Sequence, residues 1–300
     1  MQYRILGKTG LKVSAVGFGG IPIQRIDARG TRALMERLVE KGVNYIDTAR
    51  GYTVSESYLG EALSGGLREK FILATKSMSR GYADMARDIG ISLSNLRTDY
   101  IDLYQLHNIK SDADFELAFS AEGAVAAIQD AIRAGKVGHL GATAHSVDSF
   151  ERLLSYPEIE TIMFPYNIVE SQGEALMERA AAQNVGVIAM KPLAGGNITD
   201  GTLAMRYILQ NKTCTLAIPG MATLEEIEQN TAAAEQDGPL TPEELAACEA
   251  IRAGLSGNFC RRCGYCAPCT VGIDIPGIFT LEPYLTHYDL ADRARSRYES

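Results

Sequence analysis

The chain has 300 residues, of which 46% are hydrophobic, and it carries a formal net charge of −8 at pH 7. This apolar content is enough for a large core, and the length exceeds the usual single domain of about 100–200 residues. The acidic balance argues against nucleic acid or an anionic membrane as the main partner, since both attract basic surfaces.

The sequence also lacks targeting and membrane signals. It contains no apolar run of about 18 residues or more, the length that a membrane-spanning helix needs. Its first residues do not combine a charged start with an apolar stretch, as a secretory signal would. We therefore expect a cytoplasmic protein whose cysteines are reduced or bound to metal.

Taken in order, the chain opens with a hairpin signal, because residues 3–6 and 11–14 flank the stretch Gly-Lys-Thr-Gly. Strand-like and helix-like stretches then alternate. The predicted strands are 13–20, 44–48, 71–76, 100–106, 137–143, 161–167, 186–190 and 215–218. The predicted helices are 28–42, 55–64, 82–96, 120–134, 147–155, 172–183, 200–211 and 223–235. Residues 112–119 are predicted as a longer connection.

This regular alternation predicts an α/β fold of the (β/α)8 TIM-barrel type, preceded by a β-hairpin. A doubly wound open sheet is the competing fold. It would require a Gly-x-Gly-x-x-Gly turn after the first strand, and Gly-Phe-Gly-Gly at residues 17–20 does not have that pattern.

Four polar side chains stand at the ends of three successive strands or just beyond them: Asp47, Tyr52, Lys76 and His107. We call these four residues the tetrad. Parallel strands place their carboxyl ends at one rim, where (β/α)8 barrels carry chemistry. A phenol is a poor acid at neutral pH, and a neighbouring cation should lower its pKa. Asp47 would hold the Lys76 ammonium in place, and His107 would orient a substrate oxygen.

The tetrad therefore predicts a general acid, Tyr52, that protonates a carbonyl oxygen. Because none of the four groups is a nucleophile, the attacking species must come from elsewhere, and a hydride from a nicotinamide fits. The stretches around the tetrad extend the pattern; they are 3–13, 16–20, 45–49, 74–76, 103–107 and 217–220. Together they resemble the aldo-keto reductase family over roughly residues 1–236. The resemblance implies Tyr52 as proton donor, NADP or NAD as cofactor, and a small carbonyl or alcohol substrate.

A cofactor site is predicted from the start of the helix over 223–235. A helix N-terminus offers free backbone N–H groups to a phosphate or ribose. The resemblance implies that this segment holds the adenosine end and that the loop after the seventh strand holds the pyrophosphate. Glycines near the first strand allow close backbone approach. The candidate residues are Gly19, Gly20, Lys191, Pro192, Leu193, Gly195, Gly220, Met221, Thr223 and Asn230.

Two parts of this site depart from the family pattern. Glu226 stands where many members carry an arginine that pairs with the 2′-phosphate of NADP. An acid repels that phosphate but accepts a bond from a free ribose hydroxyl, so NADP and NAD both remain open. In the nicotinamide pocket, Thr143-Ala144 and Met163 replace the usual amides. Thr143 can keep one hydrogen bond, and Asn167 or His145 would supply others.

After residue 238 the composition changes, and we divide the chain into a barrel, 1–238, and a short helical, cysteine-rich extension, 239–300. Cys260, Cys263, Cys266 and Cys269 recur at every third position. Zinc knuckles usually use two separated pairs, and the ferredoxin-type run is one residue longer. The run resembles the iron–sulfur extension of one branch of aldo-keto reductases. A [4Fe–4S] cluster, zinc, or thiols without metal are the alternatives.

Three functions follow from these features. The leading one is an NAD(P)(H)-dependent carbonyl reductase or alcohol dehydrogenase. The second is an iron–sulfur electron-transfer protein that exchanges electrons with a redox partner protein. The third is a nucleotide-binding regulatory protein with little turnover. The substrate pocket is expected to be walled by the 112–119 connection and by the C-terminal residues.

Overall fold

The computed structural model describes residues 1–236, 238–257, 259–261, 266 and 269–299. Its strands are β1 (Tyr3–Ile5), β2 (Lys12–Ser14), β3 (Phe18–Gly19), β4 (Tyr45–Asp47), β5 (Ile72–Ser77), β6 (Ile101–Leu106), β7 (Val137–Thr143), β8 (Thr161–Pro165), β9 (Gly186–Met190) and β10 (Leu216–Ala217). Its helices are α1 (Ala28–Glu40), α2 (Ser55–Ala62), α3 (Tyr82–Asn95), α4 (Asp112–Ala118), α5 (Ala124–Arg133), α6 (Val147–Leu153), α7 (Glu174–Ala182), α8 (Gly201–Gln210), α9 (Leu224–Ala232), α10 (Pro242–Leu255), α11 (Ile275–Thr286) and α12 (Ala291–Glu299).

Strands β3 to β10 form one parallel sheet in which each strand pairs with the next along the chain. Parallel bridges Val16–Ala217 and Gly19–Gly220 join its two edges. The amide of Gly17 also donates to the carbonyl oxygen of Ala217 at 2.8 Å. The sheet is therefore curled and closed as in a (β/α)8 barrel, and the prediction of a barrel over an open sheet is confirmed.

The predicted hairpin is present, since β1 and β2 pair antiparallel. Leu6 and Val13 are fully buried and pack with barrel-interior side chains such as Leu103 and Ile188. The amide of Lys8 donates to the carbonyl oxygen of Asn184, just before β9, at 2.7 Å. The hairpin therefore covers the amino-terminal end of the barrel, which leaves the opposite rim for a site.

The connection predicted over residues 112–119 is instead the short helix α4. A capping box at its start accounts for the difference. The hydroxyl of Ser111 accepts from the amide of Asp114 at 3.1 Å, and the Asp114 carboxylate accepts from the amide of Ser111 at 3.3 Å. This reciprocal pair satisfies two backbone donors that would otherwise oppose helix formation.

Helix α10 docks on α8 through a partly buried ion pair. The guanidinium of Arg206, 5% exposed, donates to both carboxylate oxygens of Glu244, at 2.5 and 2.9 Å. The Arg252 side chain donates to the carbonyl oxygen of Ile168 at 2.8 Å. Cys248 of α10 is buried in the same apolar cluster as Leu203 of α8. These contacts fix the start of the extension on the barrel, while the domain division at residue 238 stays a prediction.

Residues 269–299, which we call the C-terminal segment, carry α11 and α12. Helix α11 begins where the Asp274 side chain accepts from the amide of Gly277 at 3.0 Å. A side chain built on Gly196 would meet the Cβ of His287 at 2.6 Å, so the segment lies directly on the loop after β9. Among the described residues, no helix is long and apolar enough to cross a membrane.

Replacing Glu244 with glutamine tests how α10 is held. Glutamine keeps the capping box with Thr241 but loses the charge opposite Arg206, and we expect a loss of about 1–3 kcal/mol of unfolding free energy at pH 7. Hydrogen bonds from Arg206 lower the pKa of Glu244 below its usual 4.5. The stabilisation is therefore present above that pH and lost as the pH falls through the folded-state value.

Urea denaturation at pH 7 and at acid pH measures both effects. Glu243→Gln is the matched control, because Glu243 lies in the same helical turn without contacting Arg206. Equal stability of Glu244→Gln and Glu243→Gln at pH 7 would contradict the assignment.

Candidate active site

The innermost part of the site is a buried ion pair between two neighbouring strands. Asp47 ends β4 and Lys76 lies near the end of β5, and each is only 2% exposed. The Lys76 ammonium donates to the Asp47 carboxylate and, at 2.8 Å, to the carbonyl oxygen of Thr48. The Gln105 amide donates to the other oxygen of Asp47 at 3.1 Å. Burial raises the pKa of Asp47 and lowers the pKa of Lys76, and the attraction between the two charges opposes both shifts.

Tyr52 and His107 lie beside this pair. The Lys76 ammonium is 4.9 Å from the centre of the Tyr52 ring. The rings of Tyr52 and His107 meet edge to face, with centroids 5.9 Å apart and planes at 85°. The structure therefore brings all four residues of the tetrad together at the carboxyl ends of β4, β5 and β6, as the spacing in the sequence predicts.

The protonation of the tetrad differs from expectation at Tyr52. Burial, reinforced by the Asp47 charge, raises the pKa of Tyr52 well above its usual value, and Arg293 of α12 opposes the shift. The lowering expected from a neighbouring cation is thus not found at Tyr52, because burial of the phenol outweighs it. Burial, followed by the charges of Lys76 and Arg80, lowers the pKa of His107 well below its usual value. At neutral pH the site holds a protonated phenol and a neutral imidazole.

A cavity of about 1220 Å³ opens above the tetrad. It extends past the loop after β9, residues 191–199, to Glu226 and Asn230 of α9. Pockets for small molecules commonly span about 300–1,000 Å³. The cavity is therefore large enough for an extended ligand together with a small second molecule.

Comparison with known proteins agrees with this architecture. The model of the aldo/keto reductase family matches residues 15–202, more than half of the chain. The chain belongs to the aldo/keto reductase family. An aldo-keto reductase from Bacillus halodurans, AKR11C1 in its holo form, superposes with a TM-score of 0.73 at 26% identity, covering 84% of this chain and 96% of that one.

Curated relatives from the aldo/keto reductase family give the same result. L-galactose dehydrogenase of Arabidopsis thaliana is 28% identical over 84% of this chain and 94% of its own length. Aldo-keto reductase YhdN of Bacillus subtilis is 26% identical over 70% of this chain and 67% of its own. The chain is therefore an oxidoreductase of this family.

Most residues predicted to bind the cofactor line the cavity of this aldo/keto reductase. They are Gly19, Gly20, Thr143, Lys191, Pro192, Leu193, Gly195, Gly220, Glu226 and Asn230. Met163, Met190 and His145 line it as well. Met221 does not; it is fully buried in the core. Thr223 also stands outside the lining and caps α9 by accepting from the amide of Glu226 at 3.1 Å.

Asn167 does not fit its predicted role as a nicotinamide contact. It is fully buried and does not line the cavity. Its amide nitrogen donates to Glu170 at 2.9 Å and to the carbonyl oxygen of Lys191 at 3.0 Å. Its oxygen accepts from the amides of Val169 and Glu170 at 2.9 and 3.0 Å. Asn167 instead shapes the turn after β8, and its side chain has no capacity left for a ligand.

Glu226 occupies the helix N-terminus that was predicted to receive the adenosine end. One of its carboxylate oxygens accepts from the amides of Ala222 and Thr223, at 2.6 and 3.0 Å. Its other oxygen lies 3.7 Å from the Arg25 guanidinium. The backbone donors that would bind a phosphate here are thus already paired with a carboxylate.

Lys191 begins the loop over the middle of the cavity, in a left-handed conformation with φ of 55°. Burial lowers the pKa of Lys191 to about 8. The group therefore remains mostly cationic at neutral pH and is poised to neutralise an anionic ligand in the cavity.

The metal prediction is not supported. Among the described residues, no group of three or more His, Cys, Asp or Glu side chains is arranged to hold a metal ion. Cys260, Cys266 and Cys269 are described, and Cys263 lies outside the described residues. A [4Fe–4S] or zinc site in the extension therefore stays a prediction. Cys260 lines the cavity.

The C-terminal segment forms the outer wall of the cavity, as expected. Tyr284, His287, Tyr288 and Arg293 line it. No residue of α4 lines the cavity, so the prediction that residues 112–119 form the other wall is wrong. Helix α4 instead packs its Phe115 into the main hydrophobic core. Sequence reasoning named none of these four C-terminal residues, because their position depends on how the segment docks.

Replacing Lys76 with methionine tests the ion pair at the base of the site. The change leaves Asp47 buried without its counter-charge, and we expect a loss of about 3–5 kcal/mol of unfolding free energy. The double variant Asp47→Leu/Lys76→Met removes both charges and should recover most of that loss. Urea unfolding of wild type, Lys76→Met, Asp47→Leu and the double variant measures the coupling. A double variant that loses the sum of the two single effects would show that the groups do not interact.

Proposed function

We propose that this aldo/keto reductase is an NAD(P)(H)-dependent oxidoreductase that reduces a small carbonyl compound or oxidises the corresponding alcohol, with Tyr52 as general acid and base. The observation that carries the proposal is the convergence of a phenol, an ammonium, a carboxylate and an imidazole beneath a cavity that can hold a dinucleotide. The bound dinucleotide supplies or accepts the hydride, and the chain moves the proton.

Each member of the tetrad has a separate task in carbonyl reduction. Tyr52 donates its hydroxyl proton to the substrate oxygen as the carbonyl carbon is reduced. The Lys76 ammonium then stabilises the phenolate that is left, and Asp47 fixes that ammonium in place. Neutral His107 hydrogen-bonds the substrate oxygen and orients it toward Tyr52. In alcohol oxidation the phenolate takes the proton back.

The residues along the cavity fit a dinucleotide. Asn230, 2% exposed, donates from its amide to the carbonyl oxygen of Glu226 at 2.7 Å, and its side-chain oxygen has no hydrogen-bond partner among the described residues. A buried orphan acceptor in a cavity wall suits the amino group of an adenine. Lys191 would pair with the pyrophosphate, and Gly19 and Gly20 line the cavity where the nicotinamide end would lie.

Between the two cofactors, the proposal favours NAD(H). The Glu226 carboxylate already holds the two amides that would otherwise receive a 2′-phosphate, and its charge would repel that group. The same carboxylate can accept a hydrogen bond from a free ribose hydroxyl.

The iron–sulfur electron-transfer hypothesis is not favoured, because the described residues hold no metal-ligand group. A redox partner protein and a cytoplasmic location remain predictions. The regulatory hypothesis differs from the proposal in one respect, namely that the cofactor would bind without turnover.

The proposal predicts that Tyr52→Phe lowers the rate of NADH oxidation with carbonyl substrates by about 10²–10⁴-fold, because the proton donor is lost. Binding of NADH should be unchanged, since the ring remains. The measurement is steady-state kinetics with aldehydes and ketones, and with L-galactose in the oxidising direction because one relative carries that name. Wild-type rates in Tyr52→Phe, or NADH binding by wild type without turnover of any compound, would refute it.

Cofactor preference is tested by Glu226→Gln. Glutamine preserves the capping box but removes the charge, and we expect NADPH to gain about 5- to 10-fold in affinity relative to NADH, or about 1 kcal/mol. Glu225→Gln is the matched control, since Glu225 is the neighbouring acid and its carboxylate contacts Gln229 instead. Fluorescence titration with both cofactors measures the ratio. An unchanged ratio in Glu226→Gln would remove Glu226 from cofactor selection.

A further inference from the structure

The turn that carries Tyr52 is bonded directly to the C-terminal segment. Arg293 of α12 donates from Nη2 to the carbonyl oxygen of Gly51 at 2.6 Å and from Nη1 to Oε1 of Gln24 at 2.9 Å. Gly51 immediately precedes Tyr52 in the chain. One guanidinium thus joins the end of the protein to the residue beside the phenol.

Gln24 extends this bonding to the other side of Tyr52. The same Oε1 that Arg293 contacts also accepts from the hydroxyl of Thr53 at 2.6 Å. The Gln24 amide donates to the carbonyl oxygen of Ile21 at 2.9 Å, which fixes its own orientation. Both neighbours of Tyr52 are therefore held by one pair of side chains, Gln24 and Arg293.

This turn contains one strained residue, Thr53. Thr53 has a φ of 45°, in the left-handed region that costs a β-branched residue on the order of 1–3 kcal/mol. Upstream, the amide of Arg50 donates to the carbonyl oxygen of Lys76 at 3.0 Å; downstream, the Ser55 hydroxyl donates to the carbonyl oxygen of Gly20 at 2.9 Å. Between these anchors Tyr52 makes two backbone bonds, from its amide to Ala49 at 3.0 Å and from the amide of Ser55 to its carbonyl oxygen at 2.9 Å. The Arg293–Gln24 pair adds the side-chain bonds that reach Gly51 and Thr53.

Arg293 is itself held in place on the cavity side. Its guanidinium lies 5.4 Å from the centre of the Tyr284 ring, and Tyr284 is 8% exposed. Both residues line the cavity above Tyr52. Arginine suits this position because its planar fork can bond two acceptors at once, which a lysine ammonium does with less directional control.

We propose that Arg293 is a positioning residue for Tyr52, so that the C-terminal segment is part of the active site. Arg293 lies well beyond residues 15–202, the range that the family model matches. The inference rests on the acid/base role proposed above for Tyr52. The role of Arg293 is to hold the turn 51–53 so that the Tyr52 phenol faces the substrate oxygen.

The test compares Arg293→Ala with Arg295→Ala. Arg295 lies on the same helix, and its 71% exposed side chain is 3.9 Å from Asp292. Misplacement of a catalytic group by about 1 Å can cost about 100-fold in rate. We expect kcat to fall about 10- to 100-fold in Arg293→Ala, with the KM for NADH unchanged, and Arg295→Ala to match wild type. Free guanidinium ion at non-denaturing concentration should restore part of the Arg293→Ala rate.

Two further variants keep the test informative. Arg293→Lys retains the charge and one of the two bonds, so its kcat should lie between those of wild type and Arg293→Ala. Gln24→Met breaks the same network from the barrel side, with the sequence of the C-terminal segment unchanged, and it should also lower kcat. Hydrogen exchange of the amides of residues 51–53 should be faster in Arg293→Ala and Gln24→Met than in Arg295→Ala.

The possible outcomes separate the two proposals. Equal kcat in Arg293→Ala and Arg295→Ala, in a protein whose Tyr52→Phe variant is inactive, overturns the positioning role and leaves the proposed function intact. A loss of kcat without faster exchange at residues 51–53 also overturns it. If Tyr52→Phe is as active as wild type, the proposed function fails, and with it the role of Arg293, whatever the exchange shows.

Discussion

The buried contact between Lys76 and Asp47 is the constraint on which the site depends. Two opposite charges removed from water are stabilising only when their geometry is good and their remaining hydrogen-bond donors and acceptors are satisfied. Here the carbonyl oxygen of Thr48 and the amide of Gln105 complete the set. Asp47 and Lys76 lie on the paired strands β4 and β5. The register of the barrel therefore fixes the position of the ammonium beside the Tyr52 ring. A hydrophobic pair would stabilise the barrel as well, which fits the proposed role of the two charges in the chemistry of the site.

Much of this site could be read from the sequence because it depends on topology. Asp47, Lys76 and His107 each end an apolar run or lie next to its end, and parallel strands bring their carboxyl ends to one rim whatever the details of packing. The barrel and the hairpin follow from the same periodic pattern.

The prediction fails where a polar side chain bonds to its own local backbone instead of facing the cavity. The side-chain amide of Asn167, after β8, was expected to contact a ligand. All of its donors and acceptors are instead used in hydrogen bonds around its own turn. The capping boxes at Ser111 and Thr223 were legible as Ser or Thr followed three residues later by an acid, and they would have indicated both α4 and the engagement of Glu226.

The protonation of Tyr52 could not be predicted, since it depends on contacts that are distant in sequence. A cation next to a phenol lowers its pKa, but exclusion of water works in the opposite direction and here prevails. Tyr284, Tyr288 and Arg293 of the C-terminal segment also act on this pKa through their charges. The helices of that segment give no signal in the sequence of where they dock. Pro283 inside α11 even argues against a helix there. The cysteine run raises the same difficulty, because sequence spacing alone leaves several ligand arrangements open.

Glu226 has a consequence for how this chain can change over evolution. Its carboxylate closes the first turn of α9 and, from the same position, lines the end of the cavity where we propose that the adenosine binds. Replacement by a residue without a side-chain acceptor would release two backbone amides, so selectivity and helix stability are joined in one side chain. Drift toward the phosphorylated dinucleotide should therefore pass through glutamine, which keeps both amides bonded, or be accompanied by a compensating cap.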